Sequence, residues 1–171
     1  LNSNFTINAL IDDTFNIKKF AIKSNLNFDN LNIDYRSNFI KKYLASFDNK
    51  IAIKNPQILF EYSNDIINLQ LDGKYLLQNK EDNFFIKYKG SKNNYELYTL
   101  LNLDDSDLKI DEIQYLKKKN IPSKLEILLN KSTNGFNLKK ISFTENKNYI
   151  SVNNLYISCL LYTSDAADDD A

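Results

Sequence analysis

Residues 95 to 103 read Tyr95-Glu96-Leu97-Tyr98-Thr99-Leu100-Leu101-Asn102-Leu103. Tyr95, Leu97, Thr99, Leu101 and Leu103 occupy every second position, the period of a strand whose side chains point alternately to two faces. The same period continues on both sides. Phe84, Ile86 and Tyr88 share a face before this stretch, and Ile67, Leu69 and Leu71 before that; Leu125, Ile127 and Leu129 follow it, and Phe5, Ile7, Ala9 and Ile11 stand near the start. Asn, Lys, Asp and Gln fill the alternate positions, so the opposite face is expected to be wetted. Strands with one apolar face pair antiparallel, because parallel sheets are covered on both sides. Turn signals at Asp72-Gly73, Asn79 to Asn83, Gly90 to Asn94 and Asn134-Gly135 space the strands as successive hairpins. The expected fold is mainly β, an elongated, curved antiparallel sheet with one or two short helices.

Two segments depart from the alternation. After Ser37, a candidate N-cap, Phe39, Ile40, Tyr43, Leu44 and Phe47 recur at helical spacing with Lys41 and Lys42 facing away, which predicts a short amphipathic helix over residues 37 to 47. Between Leu108 and Lys119, Ile113 and Leu116 fit a helix, while the acids and the Lys run fit a connection equally well. An internal echo adds a local detail. Phe15-Asn16-Ile17-Lys18-Lys19-Phe20-Ala21-Ile22 resembles Phe136-Asn137-Leu138-Lys139-Lys140-Ile141-Ser142-Phe143, and in both the Lys pair flips the parity of the apolar stripe. A parity flip inside an alternating strand predicts a bulge or tight bend there. Further alternating stretches follow, ending Asn30-Leu31-Asn32-Ile33 and Asn154-Leu155-Tyr156-Ile157, as if one β-unit were used twice.

The chain has 171 residues, 22 basic and 22 acidic groups, and no His, Met or Trp. That is enough for one domain, or two small ones, with a real core. Without His, Ser-His-Asp and Cys-His catalysis and the common zinc sites are closed. Asp104, Asp105, Asp107, Asp111 and Glu112 form the one acidic cluster where a metal could be argued. A calcium loop needs alternating oxygen ligands and a Gly at its sharp turn, and no Gly occurs between Gly90 and Gly135. A solvated turn is the plainer reading, and no metal or cofactor is expected. Nothing singles out a carboxylate pair for glycoside chemistry, and three glycines make no phosphate loop or dinucleotide fingerprint. Lys117, Lys118 and Lys119 with Tyr115 are candidates for phosphate contact, but an exposed basic turn explains them as well. Asn4-Phe5-Thr6 and Asn130-Lys131-Ser132 match the glycosylation pattern, which a chain this rich in Asn produces by accident. No enzyme is expected.

The composition changes after Ser158. Only four alanines precede that point, and then Cys159-Leu160-Leu161-Tyr162-Thr163-Ser164-Asp165-Ala166-Ala167-Asp168 reads like translated sequencing-adapter read-through. Residues 159 to 171 are therefore expected to be foreign, and residues 1 to 158 to be the native segment. With Asp165, Asp168, Asp169 and Asp170 set aside, 22 basic groups face 18 acidic ones, a net +4 that is too small to argue for nucleic acid. The native part then lacks thiols, which suits an oxidising compartment without requiring one. The absence of Met and the abrupt start at Leu1 suggest an internal fragment, and no apolar run approaches the roughly 18 residues that span a bilayer.

Residues 101 to 125 resemble a signature of the large AsmA-like, YhdP-type proteins of Gram-negative bacteria, relatives of TamB. There a Leu-Asp-Leu-(Ser/Thr) strand is followed by a short apolar stretch, an aromatic, a Lys, Gly-(Val/Glu)-Pro and a new strand. Leu101 and Leu103 match the first strand, Leu108 and Ile110 the apolar pair, Tyr115 the aromatic, and Lys117 and Pro122 fall at the expected spacing. Asp111 and Lys118 replace usual prolines and Asn120 the usual Gly. Phe136 to Phe143 looks like the family's following strand pair, so the signature covers about a third of the chain. The resemblance implies a periplasmic protein anchored to the inner membrane through other segments, with a β-groove carrying phospholipid toward the outer membrane. Phospholipid acyl chains would be its partners, and Phe84, Ile86, Leu97, Leu101, Leu103, Leu125, Ile127 and Leu129 the candidate lining. The alternative is a compact β-sandwich adhesion or assembly module with the same residues in a closed core.

Overall fold

The computed structural model describes residues 2–36, 38–44, 47–77 and 81–158. Ten strands form one open antiparallel sheet in the order β1 (Asn2–Ile11), β2 (Ile17–Asn27), β4 (Lys50–Ser63), β5 (Ile66–Leu76), β6 (Glu81–Gly90), β7 (Tyr95–Asn102), β10 (Ser123–Ser132), β11 (Gly135–Glu145) and β12 (Asn148–Ser158). The tenth, β3 (Asn30–Asp34), pairs with the first part of β4, whose second part pairs with β2. A separate two-stranded sheet, β8 (Leu108–Ile110) with β9 (Tyr115–Lys117), lies in the connection between β7 and β10, the longer of the two long links. The mainly β, antiparallel expectation holds. Among the described residues the only other sheet is the two-stranded β8–β9, whose Tyr115 packs against Phe143 at one end of the large sheet, so the large sheet is open over the rest of its area and not one half of a two-layer sandwich.

The hairpins form where backbone freedom allows. Asn64 and Asp65 take φ of 49° and 60° between β4 and β5, the paired left-handed geometry that matches strand twist in a two-residue turn. Gly90 closes β6 at φ 152°, where an added Cβ would stand 2.3 Å from the Asn94 carbonyl oxygen. The predicted turns at Gly90 to Asn94 and Asn134-Gly135 are present, with β11 beginning at Gly135 itself. Asp72-Gly73 is not a turn: both lie inside β5, and Gly73 pairs with Phe84. It faces a bulge of β4, where the register slips between Lys54 and Gln57, and a Cβ there would meet Lys54 O and Pro56 Cα, each at 3.2 Å. This glycine serves close approach rather than chain reversal. Asn79 lies outside the described residues, and Asp82 and Asn83 belong to β6.

Both Lys pairs mark bulges. The β1–β2 register steps from Leu10↔Lys19 to Ile11↔Ile17, skipping Lys18; the β10–β11 register steps from Leu128↔Lys140 to Leu129↔Leu138, skipping Lys139. The copies then diverge. β11 turns back into β12, whereas β2 runs on past Phe28 and Asp29 into β3 along the same neighbour, so the echo covers the bulge and not the whole unit. The predicted helix is shorter than 37 to 47. The helix α1 spans Asn38–Tyr43, with Lys41 and Lys42 exposed; Leu44 and Phe47 are buried beyond its end, and Ser37 lies outside the described residues. Residues 108 to 119 are not an α-helix: β8 passes through one 3-10 turn, Asp111–Ile113, into β9.

Candidate functional site

Cross-strand register decides what the alternation builds. Residues directly opposite one another in an antiparallel pair share a face, so the pairings can be followed from edge to edge. One row runs Phe5, Ser24, Phe60, Leu69, Tyr88, Leu97, Leu129, Leu138, Leu155. The next runs Ser3, Leu26, Ile58, Leu71, Ile86, Thr99, Ile127, Ile141, Val152. Nine strands at about 4.8 Å spacing make each row about 38 Å long. Both cross the sheet with no charged side chain. On the opposite face a row runs Lys23, Glu61, Asn68, Lys89, Glu96, Asn130, Asn137, with ion pairs Lys23–Glu61 and, at 3.6 Å, Lys139–Glu96.

That opposite face is not polar throughout. Phe85, Tyr98, Leu100 and Leu128 lie on it near the middle of the sheet, with the rings of Phe85 and Tyr98 6.0 Å apart. Each belongs to or neighbours an apolar doublet, such as Phe84-Phe85 or Leu128-Leu129, which supplies both faces at once.

The candidate lining residues share the apolar face but not one environment. Ile86, Leu97, Leu101, Leu125, Ile127 and Leu129 are half-buried, whereas Phe84 and Leu103 are buried with Tyr75. Phe84 and Leu103 are therefore core, not accessible lining. They sit where the 103–122 connection folds over one end of the strands. Ile58 and Phe60 also lie on this face, although the Asn55-Pro56 bulge flips their parity relative to Ile51 and Ile53; the proline is the sequence signal for that flip.

The covered end gathers Leu101, Leu103, Tyr115, Lys117 and Pro122, five of the residues matched to the family signature. Leu101 enters it, Leu103 is buried in it, and the Tyr115 ring packs edge-on to Phe143 at 5.8 Å with its hydroxyl donating to Glu145 at 2.7 Å. The Pro122 carbonyl accepts from Asn146 N at 2.9 Å. Lys117 is fully buried, which corrects the exposed-basic-turn reading for this residue; Lys118 and Lys119 are exposed. Its Nζ donates to the carbonyls of Ser106 at 2.7 Å, Asp104 at 3.2 Å and Lys118 at 3.2 Å, so it ties the connection to itself and is closed to phosphate. Burial pushes the Lys117 ammonium below the usual lysine range, against the pull of Asp82, Asp104, Glu145 and Asp105.

Asp82 is the second anchor. Its carboxylate accepts from the backbone N–H of Asp104 at 3.1 Å and Asp105 at 3.3 Å, while Asp104 accepts from Ser123 N at 2.8 Å. Burial raises the Asp82 carboxyl above its ordinary value, and the two backbone donors and the nearby acids Asp104 and Asp105 act on it in opposite directions. Of the 104–112 cluster, Asp104 thus fixes the connection through its carboxylate and Asp105 through its backbone N–H, Asp111 pairs with Lys109 at 2.9 Å, and among the described residues no three His, Cys, Asp or Glu are placed to hold a metal ion. Glu112 forms an ion pair with Lys42, joining the 3-10 turn to α1.

Compared with protein-family models, curated proteins and solved structures, the chain matches none. Among the described residues no helix is long and apolar enough to cross a membrane.

Proposed function

We propose that this chain is a segment of a periplasmic lipid-conducting β-groove of the AsmA-like, YhdP-type kind that its sequence resembles. Its ligands are phospholipid acyl chains, its role is phospholipid movement between the inner and outer membranes, and its membrane anchor lies in other segments. One observation carries the reading: two apolar rows cross nine hydrogen-bonded strands, and away from the 103–122 connection no described strand or helix forms a second layer over them. A lipid tail leaving an apolar environment loses roughly 0.8 kcal/mol per CH₂, so carriage through water needs unbroken apolar contact rather than an acid, base or metal. The rows offer such contact over about 38 Å, the width of nine paired strands.

The test is site-specific photo-crosslinking with phospholipid vesicles. A photoreactive side chain at Leu97 or Ile127 is expected to label with phospholipid, while one at Lys87, Glu96 or Glu126 on the opposite face is not. Equal labelling of the two faces, or none on either, rejects the proposal.

A further inference from the structure

A third row of the apolar face lies one step nearer the hairpin turns. It passes through Tyr62, Ile67, Gly90, Tyr95, Lys131 and Phe136, on six neighbouring strands that are all interior to the sheet. Over these six strands Lys131 is the one charged residue in the three rows. Its ammonium lies 4.5 Å from the centre of the Phe136 ring and donates to the Ser132 carbonyl at 3.2 Å; among the described residues it forms no ion pair with a carboxylate. A half-buried cation held over an aromatic ring, with its charge unmatched, is suited to an anion.

The rest of this row has the character of an apolar–water boundary. The rings of Tyr88 and Tyr95 lie 5.0 Å apart, and the hydroxyls of Tyr62 and Tyr88 reach the turns, donating to Asp65 at 2.9 Å and to the Ser91 carbonyl at 3.0 Å. Rings with an apolar body and a wet polar tip take the same place where a bilayer meets water. The other ends of the strands are the reverse. There the 103–122 connection covers Phe84 and Leu103, and the carboxylates of Asp82 and Asp104 repel an anion. Leu129, in the nearest tail row, is two residues from Lys131, about 7 Å along the strand, a gap that the glycerol unit between phosphate and tails covers.

We propose that Lys131 is the headgroup contact of the groove: it binds the phosphate of a phospholipid whose acyl chains lie along the rows of Leu97 and Ile127, so that headgroups stand over the hairpin turns and not over the 103–122 connection. This rests on the lipid reading and adds to it the side on which the lipid is held and the residue that holds it.

The experiment places a photoreactive side chain at Leu97 of the full chain. Phosphatidylcholine vesicles carry a subsaturating trace of radiolabelled phosphatidylglycerol or, separately, of diacylglycerol with the same acyl chains and no phosphate. Lys131→Gln is expected to lower labelling by phosphatidylglycerol about fivefold, the worth of one partly exposed charge contact, and to leave labelling by diacylglycerol unchanged; Lys131→Arg restores the first, and Lys89→Gln on the opposite face changes neither. Phosphatidylglycerol labelling that is indifferent to Lys131→Gln overturns the proposal and leaves the lipid reading standing. Equal loss with both lipids also overturns it, because Lys131 would then serve packing alone. No labelling of Leu97 by either lipid in the otherwise native chain overturns both. A phospholipid with a photoreactive headgroup gives a second reading: its adducts are expected at residues 91–94 and 133–136, and adducts confined to residues 104–122 overturn the proposal.

Discussion

Phe84 and Ile150 lie in one row of the same face, linked through Leu101, Leu125 and Phe143, yet Phe84 is 7% exposed and Ile150 58%. Both come from the same every-second-residue pattern. The difference lies in what covers them. At Phe84 the chain leaves β7, folds over the strand ends and is fixed by Lys117, Asp82 and Asp104; at Ile150 the sheet is at its edge. Alternation assigns a side chain to a face, and polar anchoring decides which part of that face is closed.

The largest expected effect comes from removing the central anchor. Lys117→Ala leaves three carbonyls without their shared donor and the neighbouring carboxylates without a cation, and is expected to cost about 4 kcal/mol in denaturant unfolding, within the range for breaking a buried charged contact. If that substitution costs no more than an exposed lysine does, polar anchoring does not separate the two regions. Phe84→Ala comes next, at about 3 kcal/mol, because it opens a cavity between Tyr75 and Leu103. Unfolding curves of the two variants together show whether the closed end rests on its polar or its apolar contacts.

Asp82 sharpens the comparison through pH. Its carboxyl is raised above the ordinary 3.8, so the folded protein holds that proton more tightly than the unfolded chain does. The stability contributed by this group is complete below the unfolded value and is lost as pH rises through the raised folded value. Asp82→Asn is expected to remove that loss, so the stability difference between the variant and the native chain should shift toward the variant as pH rises through this window. Asn also keeps only one of the two acceptors used by Asp104 and Asp105, a fixed cost of about 1–2 kcal/mol. A stability difference that does not change with pH would mean that burial does not raise this carboxyl.

The sheet was legible because period two needs only residue type, and the bulges at Lys18 and Lys139 were legible because a parity flip has one geometric meaning. The closed end was not. Lys117 lies in a run of charges that any composition argument sends to solvent, and its burial depends on carbonyls of Asp104 and Ser106 that carry no sequence signal. Gly73 misled for a related reason: beside Asp72 it has the form of a turn, but its role is set by the β4 bulge, brought to it only by strand pairing. Asn64-Asp65, a real turn, has no glycine to mark it. The doublets at Phe85, Leu100 and Leu128 satisfy either parity, so alternation could not reveal the apolar patch on the second face.

The smallest expected effect tests the other half of the comparison. Ile150→Ala removes a side chain that is mostly in water already, so little apolar area returns to solvent and no cavity forms; the loss is expected to be about 0.5 kcal/mol, mostly strand preference. Its row-mate Phe84 loses several times more on the same truncation, and the ratio of the two measures how much of the row is covered. A cost at Ile150 near that at Phe84 would mean that something packs over β12 in solution, and the open part of the face would then be an interface, not a track. The same pair of variants measured with phospholipid vesicles present separates those cases, because a tail lying along the row raises the cost at Ile150 only when lipid is there.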